Sequence, residues 1–539
     1  MSFDLTHLNG RKIYEREAGI LMPIFSLPGI YGTGDLGKEA RQFIDILHNS
    51  NQQLWSMLPN GPVGFGNSPY QAISSCAGNH YFISPELLIE ENLLTKEEAI
   101  RDYGLDITDI DYAKLFVERR KMLECAYKRW LSQGGHRSQD FLSFKYKNYK
   151  WLNDYSQYMA IKEEFDYKPW YMWPEELKNR DKDALMVNKE KNSYAIHFWE
   201  FTQYKFFEQW EKLKEYANNK GVKLVGDMPF YINHDSSDVW AHRELFDLNN
   251  DGSIKLFSGL PGPENTNIRW GNPCYNWQKM KEDNYKWFAM RMQKSAEMYD
   301  IMRIDHAVAF VHYFGIKELE EPGIWYDGPD KYNRSLTDIL DAVARQHKMD
   351  IIVENLGNNN QRTHDLYDQL NWMGMRIFDY MIGDMRYGSR NIHIPSLYPQ
   401  NVAAYTGTHD NESLVGIIAS KTDEELEYLK SYLRVDKRED ILWSAVDTLY
   451  KSPAAKVILP VQDILSLDDK SRVCYREDYE KSWRWRLDTF NKFNEKIQDK
   501  LRGISTLSAR GWIPEEQVKS NGWQDIFHQA IISRYGHQK

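Results

Sequence analysis

Four acidic residues stand where short apolar runs give way to polar sequence: Asp227 in LVGDMPF, Asp305 in IMRIDHAVAF, Glu354 in IIVENLG and Asp410 in AYTGTHDNES. Cleaving an acetal takes two carboxyl groups. One protonates the departing oxygen and the other attacks or stabilises the anomeric carbon; a retaining enzyme holds them roughly 5–5.5 Å apart. Arg303 lies two residues before Asp305. Side chains at i and i+2 of a strand share a face, so its fixed charge is expected to keep Asp305 ionised, as a nucleophile must be. Glu354 needs the opposite tuning, a raised pKa, to donate a proton near neutrality. His409, beside Asp410, offers hydrogen bonds to sugar hydroxyls. A single acidic residue after a strand ordinarily caps the next helix. Four of them, with an arginine and two histidines alongside, ask for a common explanation.

Asp305, Glu354 and Asp410 are spaced by 49 and 56 residues, room for at least one strand–helix unit in each gap. The runs Val222–Val225, Ile301–Ile304, Asp350–Val353, Met375–Phe378 and Val402–Tyr405 read as strands. Between them lie helical stretches, one with Phe288, Met292, Ala296 and Tyr299 on one face. At the front, an apolar segment and the loop GIYGTGDLG precede a helical pattern at Ala40, Phe43, Ile44 and Leu47, and Gln53–Leu58 reads as the next strand. Repeated strand–helix–strand order predicts a parallel α/β barrel, whose chemistry belongs at the C-terminal ends of the strands. Residues 86–190, rich in Lys, Glu, Tyr and Trp, read as an inserted helical subdomain, and 240–285 as a lid or substrate-loop insertion, within a single catalytic barrel spanning 1–539. The last 60 residues have helical composition, which argues against a C-terminal β-sandwich.

The bulk properties exclude several classes. The 539-residue chain carries 68 basic and 78 acidic residues, net −10, without the basic patch a nucleic-acid partner requires. Four cysteines, at 76, 125, 274 and 474, form no CxxC pair and read as free thiols. The polar N-terminus and the lack of an apolar run of 18 or more residues give the expectation of a cytoplasmic protein with no membrane partner. Aromatic residues reach 14%, with 18 Trp and 34 Tyr; this suits sugar stacking, but composition alone favours an aromatic-rich core.

Three motifs fail on inspection. Gly32-Thr33-Gly34-Asp35-Leu36-Gly37 matches GxGxxG, but QLWSMLPN supplies no acidic residue where a dinucleotide fold needs one; a tight turn after the first strand is the expected use. His234-Asp235 and His409-Asp410 fall short of the three or four ligands of a metal site. Asp247–Gly252 begins like a calcium loop, but Ser258 stands where the closing Glu belongs. No metal and no cofactor are expected.

Read together, Ile24–Gly37, GFGNSPYQAISSCAGN (64–79), DMPFYINHDSSDVW (227–240), WGNP (270–273), RIDH (303–306), VENLG (353–357), YTGTHDN (405–411) and WRWRL (483–487) resemble the amylomaltases, the disproportionating enzymes of glycoside hydrolase family seventy-seven. The similarity runs along nearly the whole chain. It implies a (β/α)8 TIM barrel with helical insertions and no C-terminal β domain. It also implies transfer of α-1,4-glucan segments to a glucose or maltooligosaccharide acceptor. By that resemblance Asp305 is the nucleophile, Glu354 the general acid and then base, and Asp410 the stabiliser of the oxocarbenium-like transition state. Arg303, His306 and His409 line the cleaved sugar's site, Asp227 stands beside it, and Ser68, Tyr70 and Trp270 match positions that touch glucan.

The chain departs from the family pattern at Val308 (usually Arg), Asn355 (usually Asp), Cys474 (usually Asn) and Pro261-Gly262-Pro263, where the acidic residue of a lid-like loop is missing. Lost hydrogen bonds of this kind are worth roughly 0.5–1.5 kcal/mol each. Net α-glucan hydrolysis, and glucan binding with little turnover, are the alternative readings; retention of all three carboxylates weighs against the second.

Overall fold

Apolar runs too short for helices, and covered on both faces, make parallel strands. The computed structural model describes residues 14–317, 322–357, 360–383, 388, 390–475 and 478–511, and the backbone of 7, 8, 11 and 12. Its central strands are β1 (Glu17–Leu21), β2 (Leu54–Ser56), β3 (Lys223–Met228), β4 (Ile301–Ile304), β5 (Asp350–Val353), β6 (Met373–Ile377), β7 (Val402–Tyr405) and β8 (Lys456–Pro460). Each pairs in parallel with the next, and β8 pairs with β1, so the sheet closes into a barrel. Closure leaves no exposed edge. The fold is the (β/α)8 barrel read from the sequence.

The strand pleat sorts side chains onto two faces. Leu21, Leu54, Val225, Ile301, Ile352, Met375, Ala403 and Ile458 pack inside the barrel. Their neighbours Ile20, Trp55, Leu224, Met302, Ile351, Ala404 and Leu459 pack against the outer helices. Gly19 faces β2 so closely that a Cβ would lie 2.1 Å from the Leu54 carbonyl oxygen, so only hydrogen fits there.

Between strands the chain returns through α1 (Lys38–Asn49), the long excursion 57–222, α5 (Lys286–Met298), α6 (Leu336–Gln346), α7 (Gln361–Leu370) and the α8 (Leu414–Ser420), α9 (Asp423–Leu433), α10 (Ile441–Lys451) group. The excursion contains α2 (Tyr112–Ser132), α3 (Gln139–Glu164) and α4 (Ser193–Asn219), the last leading into β3. Much of the aromatic excess is spent here: Trp130, Phe141, Phe201 and Tyr204 interlock edge to face or tilted, and Trp170, Trp199 and Trp210 are fully buried. Asp235 ties α3 to the segment after β3. It accepts from the Tyr158 hydroxyl (2.6 Å), the Lys162 ammonium (2.6 Å) and the Trp170 N–H (3.2 Å).

A second, antiparallel sheet grows from two different crossovers. Its order is Ile324–Asp327, His312–Ile316, Phe257–Pro261, Asn267–Pro273. Pro261-Gly262-Pro263 therefore sits in a hairpin, closed by Gly262 N–H to the Thr266 carbonyl (2.7 Å) and Thr266 N–H to the Pro263 carbonyl (2.9 Å).

Several boundaries differ from the sequence expectation. The Gln53–Leu58 strand is three residues long, whereas the Val222–Val225 run extends to Met228 and carries Asp227 within it. The eighth strand, KVILP, is not among the runs read from the sequence, although Asp463 follows it by three residues. Beyond β8 the described residues form helical segments, α11 (Glu495–Leu507) the longest, and no further strand. Residues 512–539 of the stretch read as helical lie outside the described residues.

Candidate active site

Alternation along the strands places inward residues at the C-terminal mouth: Asp227 on β3, Arg303 on β4 and, immediately past the strand ends, Asp305 and Glu354. Register pairs Asp227 with Arg303 directly across β3 and β4. Nη1 of Arg303 donates to both oxygens of Asp227 at 2.6 Å. Nη2 lies 3.1 Å from Asp305 Oδ1 and 3.1 Å from Glu354 Oε2. One guanidinium thus spans three carboxylates, which uses its planar fork of donors. Asp227 and Arg303 are shut in (side chains 3% and 9% exposed), while Asp305 and Glu354 open to the cleft (26% and 23%).

This corrects one sequence expectation. Arg303 does not serve Asp305 alone; it serves Asp305 and Glu354 equally. Glu354 gains a further donor, the His306 N–H at 2.8 Å. Burial raises the Glu354 pKa, but Arg303 and the His306 amide outweigh burial and hold it down to about 2. Burial pushes Asp305 well above the usual carboxylate range; Arg303 opposes this, and the charges of Glu354 and Asp227 reinforce it. The two carboxyls are close enough to hydrogen-bond to each other. The two shifts run opposite to the tuning expected from sequence. Such a pair titrates as a unit.

The His306 amide is aimed by a left-handed backbone, φ 43° and ψ 40°, a region that bulky side chains rarely adopt and that collects at functional sites. Its ring is buried, which lowers its pKa to about 4 although Glu354 pulls the other way. Its Nε2 is buried without a partner. The Trp270 indole stands edge-on to it, with centroids 4.8 Å apart at 84°. Trp270 is fixed through its backbone, whose carbonyl accepts from Gln71 Nε2 at 3.2 Å; the same amide also reaches Asn272 Oδ1 at 2.7 Å.

Tyr70 closes the opposite side. Its hydroxyl donates to Asp227 Oδ2 at 2.7 Å, and its ring stacks on His409 (5.1 Å, 16°). Burial, then the Asp227 charge, raises the Tyr70 pKa well above its ordinary value, with smaller contributions from Asp305 and Asp410. Tyr70 thereby joins the β3 carboxylate to the loop after β7. Ser68 caps the short turn that carries Tyr70, its hydroxyl accepting the Tyr70 N–H at 3.3 Å. His409 Nε2 lies 3.5 Å from Asp410 Oδ1, and the Asp410 side chain is 36% exposed.

Trp483 enters the sequence reading only as part of the WRWRL motif. Its ring lies 5.9 Å from Tyr70 and 6.1 Å from His409, backing both, and its φ of 67° is unusual for so large a residue. Asn355, a departure from the family pattern, has a structural role. Its Oδ1 accepts the Met375 N–H at 2.8 Å, tying β5 to β6. Val308 and Cys474 are buried. His234 and Asp235 are consumed in packing, His234 against the Gly252 carbonyl at 2.8 Å.

Two adjoining carboxyls at the open mouth of the barrel are equipped for acid-assisted nucleophilic displacement at an acetal. Comparison with known proteins gives the family. The amylomaltase of Streptococcus agalactiae, solved with acarbose, superposes with a TM-score of 0.86 at 36% identity, covering 92% of this chain and all of that one. The 4-alpha-glucanotransferase of Streptococcus pneumoniae is 35% identical over 92% of this chain and 98% of its own. That of Clostridium butyricum is 34% identical over 91% and 100%. The 4-alpha-glucanotransferase model of glycoside hydrolase family 77 matches residues 22–491, and the chain belongs to that family.

Proposed function

We propose that this chain transfers segments of α-1,4-glucan to a glucose or maltooligosaccharide acceptor by a retaining double displacement. The observation that carries the reading is the shared cation. Asp305 and Glu354 each pair with one nitrogen of Arg303, which holds both carboxyls side by side at the open mouth of the barrel, as a retaining pair requires.

Glucan seated between the carboxyls separates them, and in the reacting form Glu354 carries the proton while Asp305 is ionised. The Asp305 carboxylate then attacks the anomeric carbon, the bond to the departing chain breaks, and Glu354 gives its proton to the leaving oxygen. A glycosyl ester on Asp305 remains. The acceptor hydroxyl attacks the anomeric carbon of that ester, its proton returns to Glu354, and the Asp305 carboxylate is released. Asp410 stabilises positive charge on the sugar during both steps. Arg303, His306 and His409 line the cleaved sugar, and Tyr70 and Trp270 offer aromatic surfaces beside it. Asp227 holds Arg303 in place, and Ser68 fixes the turn that presents Tyr70.

We read the chain as one catalytic barrel with a helical insertion at 86–190 and a cleft-side insertion at 240–285. It works in the cytoplasm; no described helix is long and apolar enough to cross a membrane.

The test is incubation with maltotriose, resolving products by length while counting reducing ends. A ladder of longer and shorter sugars at a constant count is expected. A rising count with only shorter products would make the protein a hydrolase. Unchanged substrate with binding retained would make it a glucan-binding homologue.

A further inference from the structure

The loop from Thr406 to Ser413 carries His409 and Asp410 from the end of β7 to the start of α8. Both ends of it are held by carboxylates of one later segment, the stretch after β8. Asp463 is 1% exposed; its Oδ2 accepts the Thr406 hydroxyl at 2.5 Å and its Oδ1 the Leu414 N–H at 2.7 Å. Asp469 Oδ1 accepts both the N–H and the hydroxyl of Ser413, at 2.8 and 3.0 Å. Arg472 of the same segment pairs with Glu412 at 3.6 Å. Inside the loop, Asn411 Oδ1 accepts the N–H and hydroxyl of Thr408 (2.9 and 3.0 Å), and Thr408 Oγ1 accepts the Asp410 N–H at 3.3 Å.

Helix capping alone does not call for these aspartates. Ser413 already caps α8, its hydroxyl accepting the Gly416 N–H. Burying a carboxyl without a counter-ion is costly, and among the described residues Asp463 has no ion-pair partner. Its hydrogen bonds go instead to the two residues between which the loop departs and returns. Gly416 shows how close the second aspartate sits: a Cβ there would lie 2.1 Å from Asp469 Oδ2.

We propose that Asp463 and Asp469 are positioning residues for the reaction: they clamp the 406–413 loop so that Asp410 and His409 meet the sugar in register with Asp305 and Glu354. This rests on the role given to Asp410 above.

The test is a double-mutant cycle on maltotriose transfer, with thermal melts confirming that each variant is folded at the assay temperature. A misplacement of about 1 Å costs on the order of 100-fold, so Asp463→Ala is expected to lower kcat by about that factor with KM little changed. On an Asp410→Asn background the same change should cost far less, because the carboxylate it positions is already gone and only the displacement of His409 remains. Asp463→Asn can keep both contacts, its carbonyl accepting from Leu414 and its amide donating to a reversed Thr406 hydroxyl, and should recover most of the rate. Gly416→Ala should lower kcat by displacing Asp469, although Gly to Ala inside a helix ordinarily stabilises. An equal fractional loss from Asp463→Ala in both backgrounds, or full activity in Gly416→Ala, would overturn the clamp. If Asp463→Ala does not fold, the cycle of Gly416→Ala with Asp410→Asn decides. Full activity in Asp410→Asn overturns the role of Asp410 itself. A crippled Asp410→Asn beside a wild-type-like Asp463→Ala overturns only the clamp.

Discussion

The two mouths of the barrel use one device for different ends. At the N-terminal mouth, Glu17 of β1 meets Lys456 of β8 and, at 2.6 Å, Lys223 of β3, while Asp350 of β5 lies 3.9 Å from Lys456. The exposed Glu15 also pairs with Lys223, at 3.2 Å, so three acids share two bases. Burial alone would raise the Glu17 pKa, but the two ammonium groups outweigh it and hold it low. At the C-terminal mouth, Asp227, Asp305 and Glu354 share the single cation Arg303. Both clusters come from inward positions on alternate strand residues; the difference lies in their charge balance. The cluster richer in bases closes its end of the barrel on itself. The other, three acids on one cation, lies at the mouth where we propose the chemistry.

Four experiments bear on the contrast. The largest effect is expected at Asp305. Asp305→Asn removes the nucleophile, so transfer should fall by on the order of 10⁴–10⁶-fold while glucan binding, read by calorimetry, persists. Normal turnover would mean that the unbalanced mouth is not where the chemistry occurs. Glu354→Gln should cost about 10²–10⁴-fold on maltotriose but far less on a glycosyl fluoride, whose leaving group needs no proton. Equal losses on both substrates would deny Glu354 the acid's role.

The third change moves to the other mouth. Glu17→Ala leaves the buried Lys456 with only Asp350, 3.9 Å away, and should destabilise the fold by about 3–5 kcal/mol in urea titrations, with kcat of the folded enzyme unchanged. A selective loss of kcat would erase the division of labour between the mouths. The smallest effect concerns His306, whose folded pKa of about 4 lies below the ordinary 6.5. A depressed histidine contributes stability that is complete above pH 6.5 and declines as the pH falls toward 4, by at most about 1.4 kcal/mol per pH unit. His306→Asn, which tolerates the left-handed backbone, should flatten the slope of the urea midpoint across that window. An unchanged slope would assign the acid sensitivity elsewhere.

The barrel and its reacting residues were legible in the sequence because each strand that carries chemistry ends in an acidic residue. Asp227, Asp305, Glu354 and Asp410 announce themselves by type and place, and the motifs around them tie them to one family. KVILP, followed by Asp463, belongs to none of the family motifs and is passed over. The sharing of Arg303 was hidden because i and i+2 spacing names a partner on the same strand, whereas Asp227 and Glu354 arrive from strands 76 and 51 residues away. Trp483 and the pair Asp463–Asp469 act through the loop after β7 from distant sequence, and no local pattern connects them. The aromatic excess was ambiguous by composition, and the structure divides it between the helical excursion and the rings of Tyr70, Trp270 and Trp483.

The second sheet has a consequence for how this enzyme can diversify. Its strands come from two separate crossovers, and Gln71 pins the strand 267–273 at Trp270 and Asn272. The hairpin tip at 261–266 is remote from those anchors along the strand and is joined to the rest through backbone pairing, which is indifferent to side-chain identity. Length and composition at the tip can therefore drift under selection for different acceptors while the indole over His306 keeps its station. The fold separates a part that evolution can rewrite from a part it must leave alone.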